Sequence, residues 1–189
     1  MRRQTVAAIR MLVALTVVCG LIYPLAVTGI SQVVSKDRAN GSLVELDGTI
    51  VGSSLIGQAF DGDQWFHARS DAFDPTASGA ANLGPSNPDL GTAAQDAADA
   101  VRKAEGIGAD TSLPVDAVTT SGSGLDPDIS PAYAQLQAAR VAKARGLSTE
   151  QVLRLIEDNT KGRTWGILGE PRVNVLLLNL ALDQLASQA

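Results

Sequence analysis

Apolar positions along the chain fall into two regimes. From Met11 to Val34 no charged residue occurs, and Met11 to Ile30 reads MLVALTVVCGLIYPLAVTGI. An α-helix needs roughly 20 mainly apolar residues to cross the hydrocarbon core of a bilayer, so this run predicts one transmembrane helix over residues 11–34. The next most apolar piece, Val173 to Leu182 (VNVLLLNLAL), contains two Asn and is too short to span, which assigns it to a folded core. Elsewhere beyond Val34 apolar residues recur at helix or strand period.

That patterning predicts the elements of an outer domain. Leu43–Leu46 and Thr49–Val51 are β-prone runs joined by Asp47-Gly48, a dipeptide that tolerates the positive φ of a tight hairpin turn. Leu55 to Phe60 is read as a further strand, and Asp61 to Pro88, crowded with turn formers, as a long loop. A helix is expected over Thr92–Glu105, stopped by Gly106, followed by a short strand over Leu113–Thr120. Ser130-Pro131 and Gly146 bracket another helix, Ser148 with Gln151 forms a capping box for one reaching about Asp158, and a last helix runs from near Pro171 to about Ser187. The order gives an α+β protein: one N-terminal transmembrane helix followed by a single extracytoplasmic domain with early strands and late helices. Its segments are 1–10, 11–34 and 35–189.

Charge supplies the orientation. Arg2, Arg3 and Arg10 precede the apolar run with no acid beside them, which places the N-terminus in the cytoplasm and residues 35–189 outside a plasma membrane crossed once, in contact with its lipid. A cleaved signal peptide is the competing reading, but the run is long for one and Ala26-Val27-Thr28 is a poor cleavage site. Cys19, the single cysteine, can form no internal disulfide and reads as a small apolar helix residue. All 20 acidic residues and 12 of the 15 basic ones lie beyond the run, a net charge of −8 there that is unsuited to phosphate backbones. No nucleic-acid partner is expected.

The usual catalytic signatures are missing. No Gly-Lys dipeptide provides a P-loop, no Asp-Lys-Thr-Gly provides the phosphorylated aspartate of a P-type pump, and Gly122-Ser123-Gly124 lacks the spacing of a nucleophile elbow. His67, the single histidine, falls in the long loop and is read as a surface or hydrogen-bonded residue. Asp61, Asp63, Asp71 and Asp74 fail the spacing of a calcium loop and are read as turn residues, as are Asp126-Pro127-Asp128; no metal site is expected. Two strings, Asn82 to Pro88 and Thr119 to Pro127, are dense in residues that fix or free the backbone, as a shaped recognition loop or a tight connection demands. The second leads into the helix start at Ser130, whose free N–H groups favour an anion or a carboxylate.

In this order behind an N-terminal anchor, several strings resemble the C subunit of the Kdp potassium-transporting P-type ATPase. They are Leu55 to Phe60, Trp65 to Ser70, Asn82 to Pro88, Thr120 to Pro131, Leu168 to Leu176 and Leu178 to Asp183, and together they span nearly the whole chain. The chain departs from the family where Ala68-Arg69-Ser70 stands in place of Gly-Arg-Pro, and Ser78 to Asn82 in place of Ser-Gly-Gly-Ser-Asn.

The resemblance implies a non-catalytic accessory subunit, needed for assembly, in a four-protein complex that imports K⁺ at the expense of ATP. Its implied partners are a potassium-channel-like subunit, an ATP-hydrolysing subunit and a small membrane subunit. It implies no cofactor of the chain's own, ATP entering only through the complex. The resemblance further implies that this accessory subunit raises the ATP affinity of the hydrolysing subunit; the alternative it carries is a nucleotide-binding catalytic chaperone acting directly on that subunit, which puts Ser121, Gly122, Ser123 and Gly124 forward as nucleotide contacts. Against that, the arginines place this loop outside, away from the cytoplasmic ATP pool, so a structural or partner-binding role is favoured. Thr16 and Gly20, one turn apart, mark a face where a neighbouring helix can approach.

Overall fold

The computed structural model describes residues 1–69 and 73–186; Ser70 to Ala72 and Ser187 to Ala189 lie outside the described residues. The chain divides into two compact units, Met1–Ser53 and Ser54–Ala189.

The first unit is led by a 33-residue helical rod, Arg2–Val34, in which the mean hydropathy of the most apolar window is 2.3. At about 1.5 Å per residue it is about 50 Å long, longer than a bilayer core. It consists of α1 (Arg2–Val17), a π-helical turn at Val18–Ile22 and α2 (Tyr23–Val34). The π turn has a local cause: Pro24 has no N–H and its ring presses on the preceding turn, and widening the helix there absorbs both effects. A single turn, α3 (Lys36–Ala39), leads to the predicted hairpin of β1 (Leu43–Leu46) and β2 (Thr49–Ser53). At its tip Asp47 and Gly48 both adopt positive φ, 51° and 76°, as a two-residue hairpin turn requires.

The second unit holds a helical core with a small sheet. After the long loop come α4 (Pro88–Glu105), α5 (Val115–Val118), β3 (Asp128–Ile129), α6 (Pro131–Arg145), α7 (Thr149–Asp158), β4 (Thr160–Lys161), β5 (Arg172–Asn174) and α8 (Val175–Ala186). β5 is the central strand, antiparallel to β3 and β4, with Val173 opposite Ile129 and Thr160. The caps read from the sequence are in place. Ser130 accepts the N–H of Tyr133, Gly106 and Gly146 are left-handed, and Ser148 and Gln151 close a reciprocal capping box. Apolar faces of α6 (Ala134, Ala138, Val141), α7 (Val152, Ile156) and α8 (Leu178, Leu182) meet Phe66 and Val173 in one core.

Besides α4, which starts at Pro88 rather than Thr92, three expectations are corrected. Leu113–Thr120 is not a strand: after Pro114 the chain makes one helical turn, α5, which buries Ala117 and leaves Val115 75 % exposed. Leu55–Phe60 is irregular because its backbone is pressed against another loop. The Gly57 N–H donates to Leu125 O at 2.8 Å, and a Cβ on Gly57 would lie 2.9 Å from the Asp126 carbonyl oxygen. The last helix begins at Val175 rather than near Pro171, since Arg172–Asn174 is drawn into the sheet and Asn174 Oδ1 accepts the Leu177 N–H in the first turn. Its expected end at Ser187 lies outside the described residues.

Candidate functional site

The loop that carries Ser121 to Gly124 is built on α5 and runs into β3 and α6. Its serines act on their own turn: Ser121 Oγ accepts the Gly124 N–H at 2.8 Å, and Ser123 Oγ accepts the Leu125 N–H at 3.1 Å. Ser121 is buried, whereas Gly122 and Ser123 are exposed. A second loop is laced to it, with Ser78 Oγ and the Gly79 N–H both donating to Ser123 O at 3.0 and 2.8 Å. Gly124 has φ +70° and approaches so closely that a Cβ would sit 3.1 Å from Gly79 O. A side chain there would meet backbone and adopt a disfavoured conformation at once.

Arg69 clamps both ends of this segment. Its guanidinium donates to Thr119 O (3.3 and 3.2 Å), Thr119 Oγ1 (3.0 Å) and Thr120 O (2.8 Å), and faces Asp126 at 3.7 Å. The arginine was visible in the sequence only as part of the Ala68-Arg69-Ser70 string, because its partners lie about 50 residues away. Ser70 itself lies outside the described residues.

The start of α6 is occupied by the chain's own acid. Asp116, on α5, receives the Ser130 N–H at 2.6 Å and the Ser130 hydroxyl at 2.9 Å. The favourable place for a carboxylate at this helix N-terminus is thereby filled from within.

A groove of about 680 Å³ adjoins the loop, between residues 80–83, one face of α4 and Val118–Gly122. Ala93, Ala94, Ala97 and Ala100 form its floor, Leu90 and Val118 add apolar surface, and Asp96 is its single charged lining residue among the described residues.

The long loop is held by buried side chains rather than by a ladder. Asn179 on α8, 1 % exposed, accepts the Phe66 N–H at 2.9 Å and donates to Phe66 O at 3.0 Å. Gln137 on α6 does the same for His67, at 2.8 and 3.0 Å. Arg140 donates to Asp63 O and Trp65 O and pairs with Glu105 at 3.0 Å; Arg145 donates to Gln64 O, pairs with Asp183 and lies over the Trp65 ring. Burial raises the pKa of Glu105 despite Arg140, and pushes the Tyr133 hydroxyl up to about 12. Burial, with Arg140 beside it, lowers the pKa of His67, whose Nε2–H donates to Gly62 O at 3.0 Å.

Two of the aspartates expected in turns, Asp74 and Asp126, are found in local bonds, whereas Asp128 pairs with Arg172 and accepts from Asn174. Asp74 accepts the N–H and hydroxyl of Thr76, which lowers its pKa, and Asp126 accepts the Asp128 N–H. Asp71 lies outside the described residues. Among the described residues no group of three or more His, Cys, Asp or Glu side chains could hold a metal ion.

Comparison with known proteins gives the chain its relatives. Residues 5–184 match the family model described as KdpC: K⁺-transporting ATPase, c chain. A protein of Mycobacterium tuberculosis named potassium-transporting ATPase KdpC subunit is 53 % identical, over 98 % of this chain and 100 % of the relative. Proteins of the same name from Kineococcus radiotolerans (50 % identical, 97 % of this chain and 95 % of the relative) and Rhodopseudomonas palustris (49 %, 97 % and 98 %) are similar throughout.

Proposed function

Because the chain belongs to the KdpC family, the c chain of the K⁺-transporting ATPase, we propose that it is a non-catalytic, single-pass subunit whose outer residues dock on the channel-like subunit near the K⁺ entrance. Arg2, Arg3 and Arg10 hold the N-terminus in the cytoplasm, and the rod Arg2–Val34 provides the span. The Ser121–Gly124 loop shapes the docking face in this reading, and ATP is bound elsewhere in the complex.

One observation carries that assignment. Both serine hydroxyls of the loop accept bonds from the loop's own N–H groups, so the Gly124 and Leu125 donors that a phosphate cradle would use are turned inward. The nucleotide-binding alternative draws on the groove beside Thr119–Gly122. Its apolar floor and single acidic side chain disfavour a polyphosphate.

Two measurements test the proposal. Protease added outside spheroplasts should digest residues beyond Ser35, and protection until lysis would overturn the orientation. In the purified complex Ser123→Ala should leave the KM for ATP unchanged. A hydroxyl bonded to nucleotide is worth about 1 to 3 kcal/mol, so a several-fold rise in that KM at unchanged complex yield would establish the alternative.

A further inference from the structure

Between β4 and β5 the chain projects a hairpin that its own core does not use. Thr164 and Leu168 are paired, with the Thr164 N–H donating to Leu168 O at 2.8 Å and the Leu168 N–H to Thr164 O at 3.0 Å. The loop they close, Trp165-Gly166-Ile167, carries Trp165 86 % and Ile167 74 % exposed, with Leu168 at 51 % beside them. Within residues 54–186 no other four-residue stretch among the described residues exposes three large apolar side chains. Exposed large apolar clusters on soluble surfaces mark interaction sites, and Trp is the residue most enriched at their energetic centres.

The backbone at the tip strengthens this reading. Trp165 has φ +54°, next to Gly166 at +79°, so a bulky side chain occupies a left-handed position that folding alone would give to Gly or Asn. The strain holds an indole in solvent, where it stabilises nothing within the chain. A function outside the chain accounts for both the residue and its conformation.

Charge selects the kind of partner. At the neck of the hairpin Arg163 is paired with Glu170, and Arg172 with Asp128 at 2.9 Å. Arginines neutralised in this way do not form the free basic cluster that anionic headgroups attract, nor do they call for an acidic rim opposite. What the tip presents is an apolar knob on a neck whose charges, apart from the exposed Lys161, are paired, which fits an apolar cleft in a protein.

We infer that Trp165, Ile167 and Leu168 form a docking knob that inserts into an apolar cleft on another subunit of the K⁺-transporting ATPase. This rests on the assignment of the chain to that complex, and it adds a second contact element to the docking face shaped by the Ser121–Gly124 loop. The knob is a convex element closed by its own hydrogen bonds, so it docks preformed and loses little freedom on binding.

The test uses the full chain in the assembled complex. Ile167→p-benzoylphenylalanine, irradiated in native membranes, should cross-link to another ATPase subunit identified by mass spectrometry. Cross-links to lipid alone or to a second copy of this chain, or none, would overturn the inference. Trp165→Gly removes the indole and relieves the positive φ, so the chain should fold at least as well while the recovered complex falls several-fold or more. Unchanged recovery sinks the docking knob. Failure of the wild-type chain to co-purify with the ATPase would instead sink the assignment to the complex.

Discussion

The rod Arg2–Val34 and the helical core of residues 54–186 are both apolar, yet they use their apolar residues in opposite ways. α1, the π turn and α2 contain no buried residue, and Leu12, Leu25 and Ile30 are each more than 60 % exposed. In the second unit Phe66, Val141, Val152, Val173, Leu178 and Leu182 are fully covered. A helix that satisfies every backbone bond internally needs no partner within its own chain if its solvent is hydrocarbon. An irregular loop in water must be satisfied by neighbours, which is why Asn179, Gln137, Arg140 and Arg145 converge on residues 63–67. Substitutions should therefore act on folding in the second unit and on assembly in the first.

The largest effect is expected at Phe66. Phe66→Ala opens a cavity where α6, α8 and the long loop meet and should destabilise residues 54–186 by about 3–5 kcal/mol, read from chemical unfolding in detergent. A loss below about 1 kcal/mol would mean that the loop contributes little to the core. Next comes Arg69→Gln, which removes the charge-assisted bonds to half-buried Thr119 and exposed Thr120, at a cost of about 1–3 kcal/mol. Hydrogen exchange at Gly122 to Leu125 should speed up while α6 to α8 stay protected; uniform loosening would show that the clamp serves the whole unit.

A smaller effect comes from pH. Burial holds the His67 pKa below its ordinary value of 6.5, so the folded chain binds this proton less readily than the unfolded chain does. Above about 6.5 neither state is protonated and the contribution is complete; as pH falls through that value the unfolded state takes up the proton first and stability declines. The bond to the Gly62 carbonyl, then Asp61 and Asp63, oppose the shift. His67→Gln should flatten the decline in thermal midpoint between about pH 7 and 5, and an unchanged slope would assign it to other groups. The smallest folding effect is expected in the rod. Gly20→Leu should change the stability of residues 54–186 by less than about 0.5 kcal/mol, yet lower complex yield if a partner helix packs beside Thr16 and Gly20. Full yield would place that contact on another face.

What the sequence made legible was local. The Asp47-Gly48 turn, the Ser130 and Ser148 caps and the stops at Gly106 and Gly146 stand where the residues place them. The apolar run foretold the rod, although helix continues back to Arg2, and α4 starts at Pro88 because Asn87 caps it earlier than the apolar pattern suggested. β5 was hidden by its length of three residues, and α5 by two valines that mimic a strand. The exposed knob was hidden as well, because Trp, Ile and Leu in a short run read as core whichever way they point.

The sequence by itself determined the membrane-length helix, the caps and turns, the α+β class and the family. Each rests on residues within a few positions of one another or on strings long enough to be distinctive. Tertiary structure decided that Gln137 and Asn179 serve as buried clamps, that Asp116 fills the start of α6, that Arg69 ties down the Ser121–Gly124 loop and that Trp165 faces outward. Most of these contacts join residues 50 to 113 positions apart. A helical Asn or Gln looks the same in sequence whether it faces water or a loop's bare backbone; only packing removes the water and makes the bond obligatory.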